Sequence, residues 1–198
     1  AGELTDTQLH MVQIAERNAK RVFGLIEDLL TLSHIEEGAF TLRFKPIDMR
    51  RALQALVEAH RPIAGERDVT LDLVVVGDLG PTPGDEQQLL RAIGNVMNNA
   101  VKFTPPTGHV NIAVNHTGSS LVIVVADTGI GIPIEEQPKL FGRFFRTSTS
   151  IEQQHQGAGL GLTIAKAIIE HHGGSISISS VLGIGTSVTI ELPMLPHA

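Results

Sequence analysis

Cysteine, tryptophan and tyrosine are all missing from this chain of 198 residues. Without cysteine there is no disulfide framework, no thiolate metal site and no thiol nucleophile. The aromatic residues number only seven phenylalanines, so the core has to be aliphatic. No apolar run approaches the roughly 18 residues of a membrane-spanning helix; the longest, Leu121–Ala126, is six residues. The opening residues Ala1–Asp6 lack the basic and apolar regions of a signal peptide. A soluble chain is therefore expected, and a start at Ala rather than Met suggests a fragment or a processed chain. Positive charge is short as well: 15 Lys and Arg against 21 Asp and Glu leave a net charge of −6. That balance argues against a general nucleic-acid binder, which needs a basic footprint. Any anionic ligand must be held by local groups. What the chain has is 42% hydrophobic residues and only 18% charged ones, enough for one substantial core.

Residues 5 to about 37 read as one long helix, without proline and with Gly24 as its one glycine, opened by a cap at Thr5 or Asp6. Met11, Ala15, Asn18, Val22, Leu25, Leu29 and Leu32 follow a 4-3-4-3-4-3 spacing, a heptad seam that Ile14, Ile26 and Leu30 widen. So wide a stripe needs a partner helix. A helix of ~30 residues is ~45 Å long, more than a domain of ~150 residues covers easily, which favours a protruding hairpin or bundle. Gly38 supplies the stop, giving a boundary between residues 1–38 and 39–198.

The remainder alternates helix and strand signals. Phe40, Leu42 and Phe44 alternate like a short strand, Asp48 caps a helix through Ile63 despite Pro62, and Val69–Val76 is a strand. Gly77–Gly84 reads as a turn region, and Asp85 caps a helix to about Lys102. Val110, Ile112 and Val114 alternate and form a hairpin with the apolar run Leu121–Ala126. Between Gly129 and Gly159 there is little pattern beyond Leu140–Phe145, and a connection of that length is normally functional or mobile. A helix from about Leu160 to His172 and strands at Ser175–Ser179 and Ser187–Leu192 close the chain.

Four segments carry chemistry. At 100° per residue, Asn95, Asn98, Asn99 and Lys102 share one face of their helix while Leu89, Ile93, Val96, Met97 and Ala100 occupy the other. Asparagine is a poor choice for a merely solvated helix face. Amide oxygens suit a hard cation such as Mg²⁺, and a nearby ammonium suits a phosphate. Asp127-Thr128-Gly129-Ile130-Gly131 follows directly on an apolar strand. A carboxylate there needs hydrogen-bond donors, such as the exocyclic amine of a planar base, and glycines let a ring approach the backbone. A tight turn with no ligand explains this pattern about as well. Gly157-Ala158-Gly159-Leu160-Gly161-Leu162 leads into a helix, whose N-terminal N–H groups form a phosphate site. No strand precedes it, against a dinucleotide fingerprint, and no Walker A loop occurs. Gly183-Ile184-Gly185-Thr186 joins the last two strands, as a hairpin turn or a ligand contact.

In their order along the chain, these segments resemble the catalytic core of bacterial sensor histidine kinases, whose ATP-binding domain is shared with DNA gyrase, the Hsp90 chaperones and MutL. Asn95–Thr104 resembles the N box, Asp127–Gly131 the first G box, Leu140–Arg146 the F box of an ATP lid at 132–157, Gly157–Gly161 the second G box and Gly183–Thr186 the last. The resemblance implies a two-layer α/β sandwich, a mixed sheet covered by helices, preceded by a long helix from a helical hairpin. It implies ATP and Mg²⁺ as ligands, with Asp127 reading the adenine amine and Asn99 and Asn95 holding the metal. Lys102 and Arg146 would face the phosphates, and the amides from Gly159 through Leu160 and Gly161 to Leu162 would cradle them. Phe103, Gly129, Gly131, Ile132, Phe144, Gly157 and Thr186 would complete the nucleotide site, and Asn95, Lys102 and Arg146 the catalytic set. In hydrolysing members a Glu one turn before the N-box Asn activates water; here that position is Asn95, which cannot act as a base near neutral pH.

Residues 9–38 resemble the second helix of the family's dimerisation and phosphotransfer hairpin. The phosphoacceptor motif, His followed by an acidic residue and then Thr-Pro, is absent; His10 and His34 are surface or seam residues. The implied function is transfer of the γ-phosphate of Mg-ATP to a histidine outside this chain, so the chain alone should not phosphorylate itself. The alternatives are an anti-sigma-type Ser/Thr kinase and a non-catalytic nucleotide-binding regulator on the same fold. Implied partners are a second subunit, dimerising through the 9–37 helix in the full-length protein, and a response regulator receiver domain. The implied location is cytoplasmic, with membrane contact only through parts of a parent protein not present here.

Overall fold

The computed structural model describes residues 5–152 and 158–194. The chain divides into two compact units, Ala1–Phe40 and Thr41–Ala198. The first is a single helix, α1 (Asp6–Glu36). Thr5 caps it with a reciprocal pair: its hydroxyl accepts from the Gln8 N–H at 3.3 Å, and the Gln8 side chain accepts from the Thr5 N–H at 2.9 Å. Gly38, at φ +67°, ends it in the left-handed conformation expected of a helix stop. Much of the heptad seam is solvent-facing; Met11, Val22 and Leu29 are exposed, and Phe23 beside them is 70% exposed.

The second unit runs β1 (Lys45–Asp48), α2 (Met49–Glu66), β2 (Thr70–Val75), β3 (Pro81–Gly84), α3 (Glu86–Phe103), β4 (His109–Thr117), β5 (Ser120–Asp127), α4 (Ser148–Glu152), α5 (Gly161–His171), β6 (Ser175–Val181) and β7 (Gly185–Pro193). Five strands form one sheet in the order β2-β4-β5-β7-β6, with β2 parallel to β4 and the other neighbours antiparallel. Val110, Ile112 and Val114 of β4, Leu121, Ile123 and Val125 of β5, and Val188, Ile190 and Leu192 of β7 are buried on one face. Against that face pack α2, α3 and α5, giving the expected two-layer sandwich.

Two strands differ from their expected positions. Residues 40–44 are not part of a strand, and the ladder begins only at Lys45. Its partner β3 lies inside the Gly/Pro cluster expected to be a turn. Ladder bonds alternate along an antiparallel pair, so Pro46, Pro81 and Pro83 fit on positions that need no N–H. Helix α2 also continues past Ile63 to Glu66, with Pro62 inside it at the loss of one backbone bond. The long connection holds a 3-10 turn at Gln137–Lys139 and the short α4, elements too brief to leave a periodic signal.

α3 follows expectation. Asp85 caps it by accepting from the Gln88 N–H at 3.3 Å. Leu89, Ile93, Val96, Met97 and Ala100 are buried, while Asn95, Asn99 and Lys102 are half-buried and Asn98 is exposed.

Candidate functional site

β5 ends on Asp127, which pairs with Thr186 of β7, and Thr186 pairs in turn with Ser180 of β6. Cross-strand partners share a face. By the two-residue period, Asp127 and Thr186 continue the helix-facing rows of β5 and β7, at the end of the sheet where α3 terminates. Asp127 Oδ1 accepts from the Gly129 N–H at 2.8 Å and the Thr186 N–H at 3.2 Å. Burial pushes the Asp127 carboxyl above the usual carboxylate range, and these two N–H donors oppose the shift. A partly desolvated carboxylate tied on one oxygen and open on the other is suited to receive a donor from a ligand.

Two of the glycines also let stretches of backbone approach each other. Gly131 has φ +67°, and a Cβ there would lie 2.1 Å from the Val181 carbonyl oxygen. Gly159 has φ +72°, and its Cβ would lie 2.5 Å from the Phe145 carbonyl oxygen. Both let stretches of backbone cross at contact distance, the Asp127 turn against the β6–β7 hairpin and the entrance of α5 against the lid. The turn is fastened on three sides. Ile130 N–H bonds the Phe103 carbonyl at the end of α3 at 3.2 Å, Gly183 N–H bonds the Ile130 carbonyl at 2.8 Å, and Ile132 N–H bonds Ser180 Oγ at 2.9 Å.

Across the site, α3 packs against α5. Asn95 Nδ2 donates to the Gly161 carbonyl at 3.2 Å, which leaves the oxygen of its amide as an acceptor on the polar face that also holds Asn99. Leu160 is the N-cap residue of α5 and, among the described residues, no side chain caps that helix, a first turn of the kind that receives an anion. Leu160 is buried, and Gly161 and Leu162 are half-buried in the first turn. Thr163 Oγ1 donates to the Phe141 carbonyl at 3.0 Å, fixing the lid's apolar segment to the same turn. The Lys102 ammonium lies 4.6 Å over the Phe103 ring. Among the described residues no group of three His, Asp or Glu side chains could hold a metal, and the hard-oxygen donors at hand are the Asn95 and Asn99 amides. Two amides fit a cation that keeps most of its waters and shares a phosphate.

The structure thus brings Asp127, Gly129, Gly131, Ile132, Phe103 and Thr186 into one bonded group, and joins Asn95 to the Gly161 turn. Farther along the same connection Arg146 Nη2 reaches the Ser150 carbonyl at 3.5 Å, and Phe144 is 61% exposed. Gly157 lies outside the described residues. Sequence reasoning passed over Ser180, Gln137 and Thr163. A signal for Ser180 exists, since pairing a tight hairpin around Gly183 sets it opposite Thr186.

The profile of the family described as histidine kinase-, DNA gyrase B-, and HSP90-like ATPases matches residues 84–196. The chain belongs to this family. Among its members, the circadian input-output histidine kinase CikA of Synechococcus elongatus is 37% identical over 196 residues, covering 97% of this chain and 26% of that protein. Histidine protein kinase DivJ of Caulobacter vibrioides is 34% identical over 194 residues, covering 98% of this chain and 32% of that protein. The chain therefore spans about a quarter to a third of these relatives. The structure of full-length ShkA in complex with AMPPNP superposes with a TM-score of 0.84 at 28% identity, covering 100% of this chain and 41% of that one. As an ATPase-family domain the second unit extends upstream of the matched region, since α2 and β2 pack into the same core. No described helix is long and apolar enough to cross a membrane.

Proposed function

We propose that this chain is the ATP-binding catalytic module of a two-component sensor histidine kinase, Thr41–Ala198, joined to one helix of its phosphotransfer hairpin, α1. It passes the γ-phosphate of ATP to a histidine on a segment outside this chain. Asp127 accepts from the adenine amine through the oxygen that Gly129 and Thr186 leave open. The uncapped first turn of α5 holds the phosphates, Lys102 lies toward them from the end of α3, and Arg146 reaches them when the lid swings in. Asn95 and Asn99 hold Mg²⁺, which when bound neutralises part of the triphosphate charge. Asn95 is no base, so water is not activated and the γ-phosphate is kept for the imidazole. The imidazole nitrogen bonds phosphorus as the bond to the bridging oxygen of ADP breaks. The exposed seam of α1 supports a dimer through that helix, and a response regulator receiver is the downstream acceptor; a complex of ThkA with the response regulator TrrA is known for a protein of the same fold.

The observation that carries this reading is the half-buried Asp127 carboxylate at a strand end, with one oxygen bonded to the Gly129 and Thr186 N–H groups and the other free to accept. The test is incubation with γ-labelled ATP. The chain alone gives no acid-labile phosphohistidine, and the chain joined to the helix bearing the phosphoacceptor His becomes labelled. Label on the isolated chain, or no heat from Mg-ADP in calorimetry, refutes the proposal.

A further inference from the structure

Each hydroxyl carries a single proton, and following those protons around Ser180 settles how Thr186 meets a ligand. Ser180 Oγ lies 2.8 Å from the Gly185 carbonyl oxygen, 2.9 Å from the Ile132 nitrogen and 2.9 Å from Thr186 Oγ1. A carbonyl only accepts, so Ser180 commits its proton to Gly185. A backbone N–H only donates, so Ile132 occupies one lone pair of Ser180. The remaining contact then has one polarity, with Thr186 donating and Ser180 accepting. The Thr186 hydroxyl has no proton left for a ligand and offers it lone pairs alone. Next to it in the same cross-strand row stands Asp127, whose ionised carboxylate also only accepts.

We propose that Ser180 determines base specificity: by locking the Thr186 hydroxyl as an acceptor beside Asp127, it makes this wall of the base site acceptor-only. Such a wall takes a purine that presents an amine at its 6-position and turns away a 6-oxo purine, whose carbonyl would set lone pairs against lone pairs. The inference rests on the reading of this site as an ATP site. Ser180 is a positioning residue that acts through Thr186. Gln137 supports it, its Nε2 donating to the Ser180 carbonyl at 2.8 Å and the Ile132 carbonyl at 3.0 Å and so keeping the Ile132 N–H on the serine.

The experiment is calorimetric titration of the chain with Mg-ADP and Mg-IDP at pH 8, two nucleotides that differ at the purine 6-position and its neighbouring N1 proton. The parent chain favours ADP. Ser180→Ala releases the Thr186 proton, and the ADP:IDP preference narrows about tenfold. Ser180→Thr keeps the hydroxyl and keeps the preference. If Ser180 served only packing, its Ala variant would weaken both nucleotides alike, and an unchanged ratio in a folded Ala variant overturns the proposal. Thr186→Val provides an independent reading should Ser180→Ala not fold: without the acceptor, ADP weakens and IDP does not, and equal weakening overturns the proposal. Failure of the parent chain to bind either nucleotide would instead refute the ATP reading itself, together with this inference.

Discussion

Replacing Asp127 by asparagine changes one charge and almost no volume, which makes it a sharp probe of the site. In the free chain the amide oxygen keeps both bonds that Oδ1 now accepts, from Gly129 at 2.8 Å and Thr186 at 3.2 Å. Burial raises the Asp127 pKa in the folded chain, so the fold holds that proton more tightly than the unfolded chain does. The ionised carboxylate is therefore a destabilising element at neutral pH, relieved as pH falls through the folded pKa. Asparagine carries no such penalty, and the variant should melt no lower than the parent at pH 7, with any advantage vanishing in acid. Toward nucleotide the result is opposite. The open oxygen becomes an NH₂ that meets the adenine amine donor to donor, and losing a hydrogen bond to a charged group costs about 1.5–3 kcal/mol. At about 1.4 kcal/mol per decade, Mg-ADP should bind roughly 10- to 150-fold more weakly. Calorimetry and thermal melting of the same samples decide the matter. Unchanged affinity would refute the assigned role, and lost affinity with a collapsed melting point would show that Asp127 serves the fold instead.

Three further outcomes are expected. His172 is buried, with Nδ1 bonded to the Ile168 carbonyl at 2.8 Å and Nε2 accepting from the Asp85 N–H at 3.0 Å, and burial first of all lowers its pKa. A lowered folded pKa means the neutral ring is favoured by the fold, so its stability is present above the ordinary value of 6.5 and is lost as pH drops below it. Urea titrations at pH 7.5 and 5.5 should show a fall that His172→Gln reduces, and an equal fall in both proteins would contradict this. Thr82 is 0% exposed and its hydroxyl has no hydrogen-bond partner among the described residues, so Thr82→Val should stabilise the fold by about 1 kcal/mol in denaturant titration. A destabilised valine variant would mean that the hydroxyl is satisfied. Gly131→Ala would force a Cβ onto the Val181 carbonyl at a positive φ, and should cost more than about 2 kcal/mol and loosen Mg-ADP with it. A wild-type melting curve for that variant would show that the turn can yield.

Elements announced by their own caps and periods were legible from the residues. Thr5, Asp48 and Asp85 stand as N-caps of α1, α2 and α3, and the polar arc of Asn95, Asn99 and Lys102 lies opposite a buried stripe. What escaped reading depends on distant partners. β3 is a strand because Lys45–Asp48 lies beside it, and nothing within Pro81–Gly84 advertises that neighbour. The glycines were legible as requirements but not as causes: the crossing backbones that exclude a Cβ at Gly131 and Gly159 belong to Val181 and Phe145, remote in sequence. The orientation of Arg146 and Phe144 was equally out of reach, since the connection that carries them has no periodic signal. Ser180 was overlooked for a similar reason. Its importance lies in three bonds to two other segments, and a serine in a Ser-Ile-Ser-Ile-Ser-Ser strand looks like its neighbours.

The parallel union of β2 with β4 has an effect on assembly. A strand can join a parallel neighbour only by way of a crossover, and here the crossover from Val75 to His109 contains α3 itself. The hairpins β4–β5 and β6–β7 close over short spans, whereas β2 waits for α3 to settle, because loop closure yields nothing until the helix docks. The helix bearing Asn95 and Asn99 is thus the strap that fastens the outermost strand, and whatever grips the strap also slows the peeling of that strand. Amides of β2 should exchange their hydrogens more slowly once the site is filled.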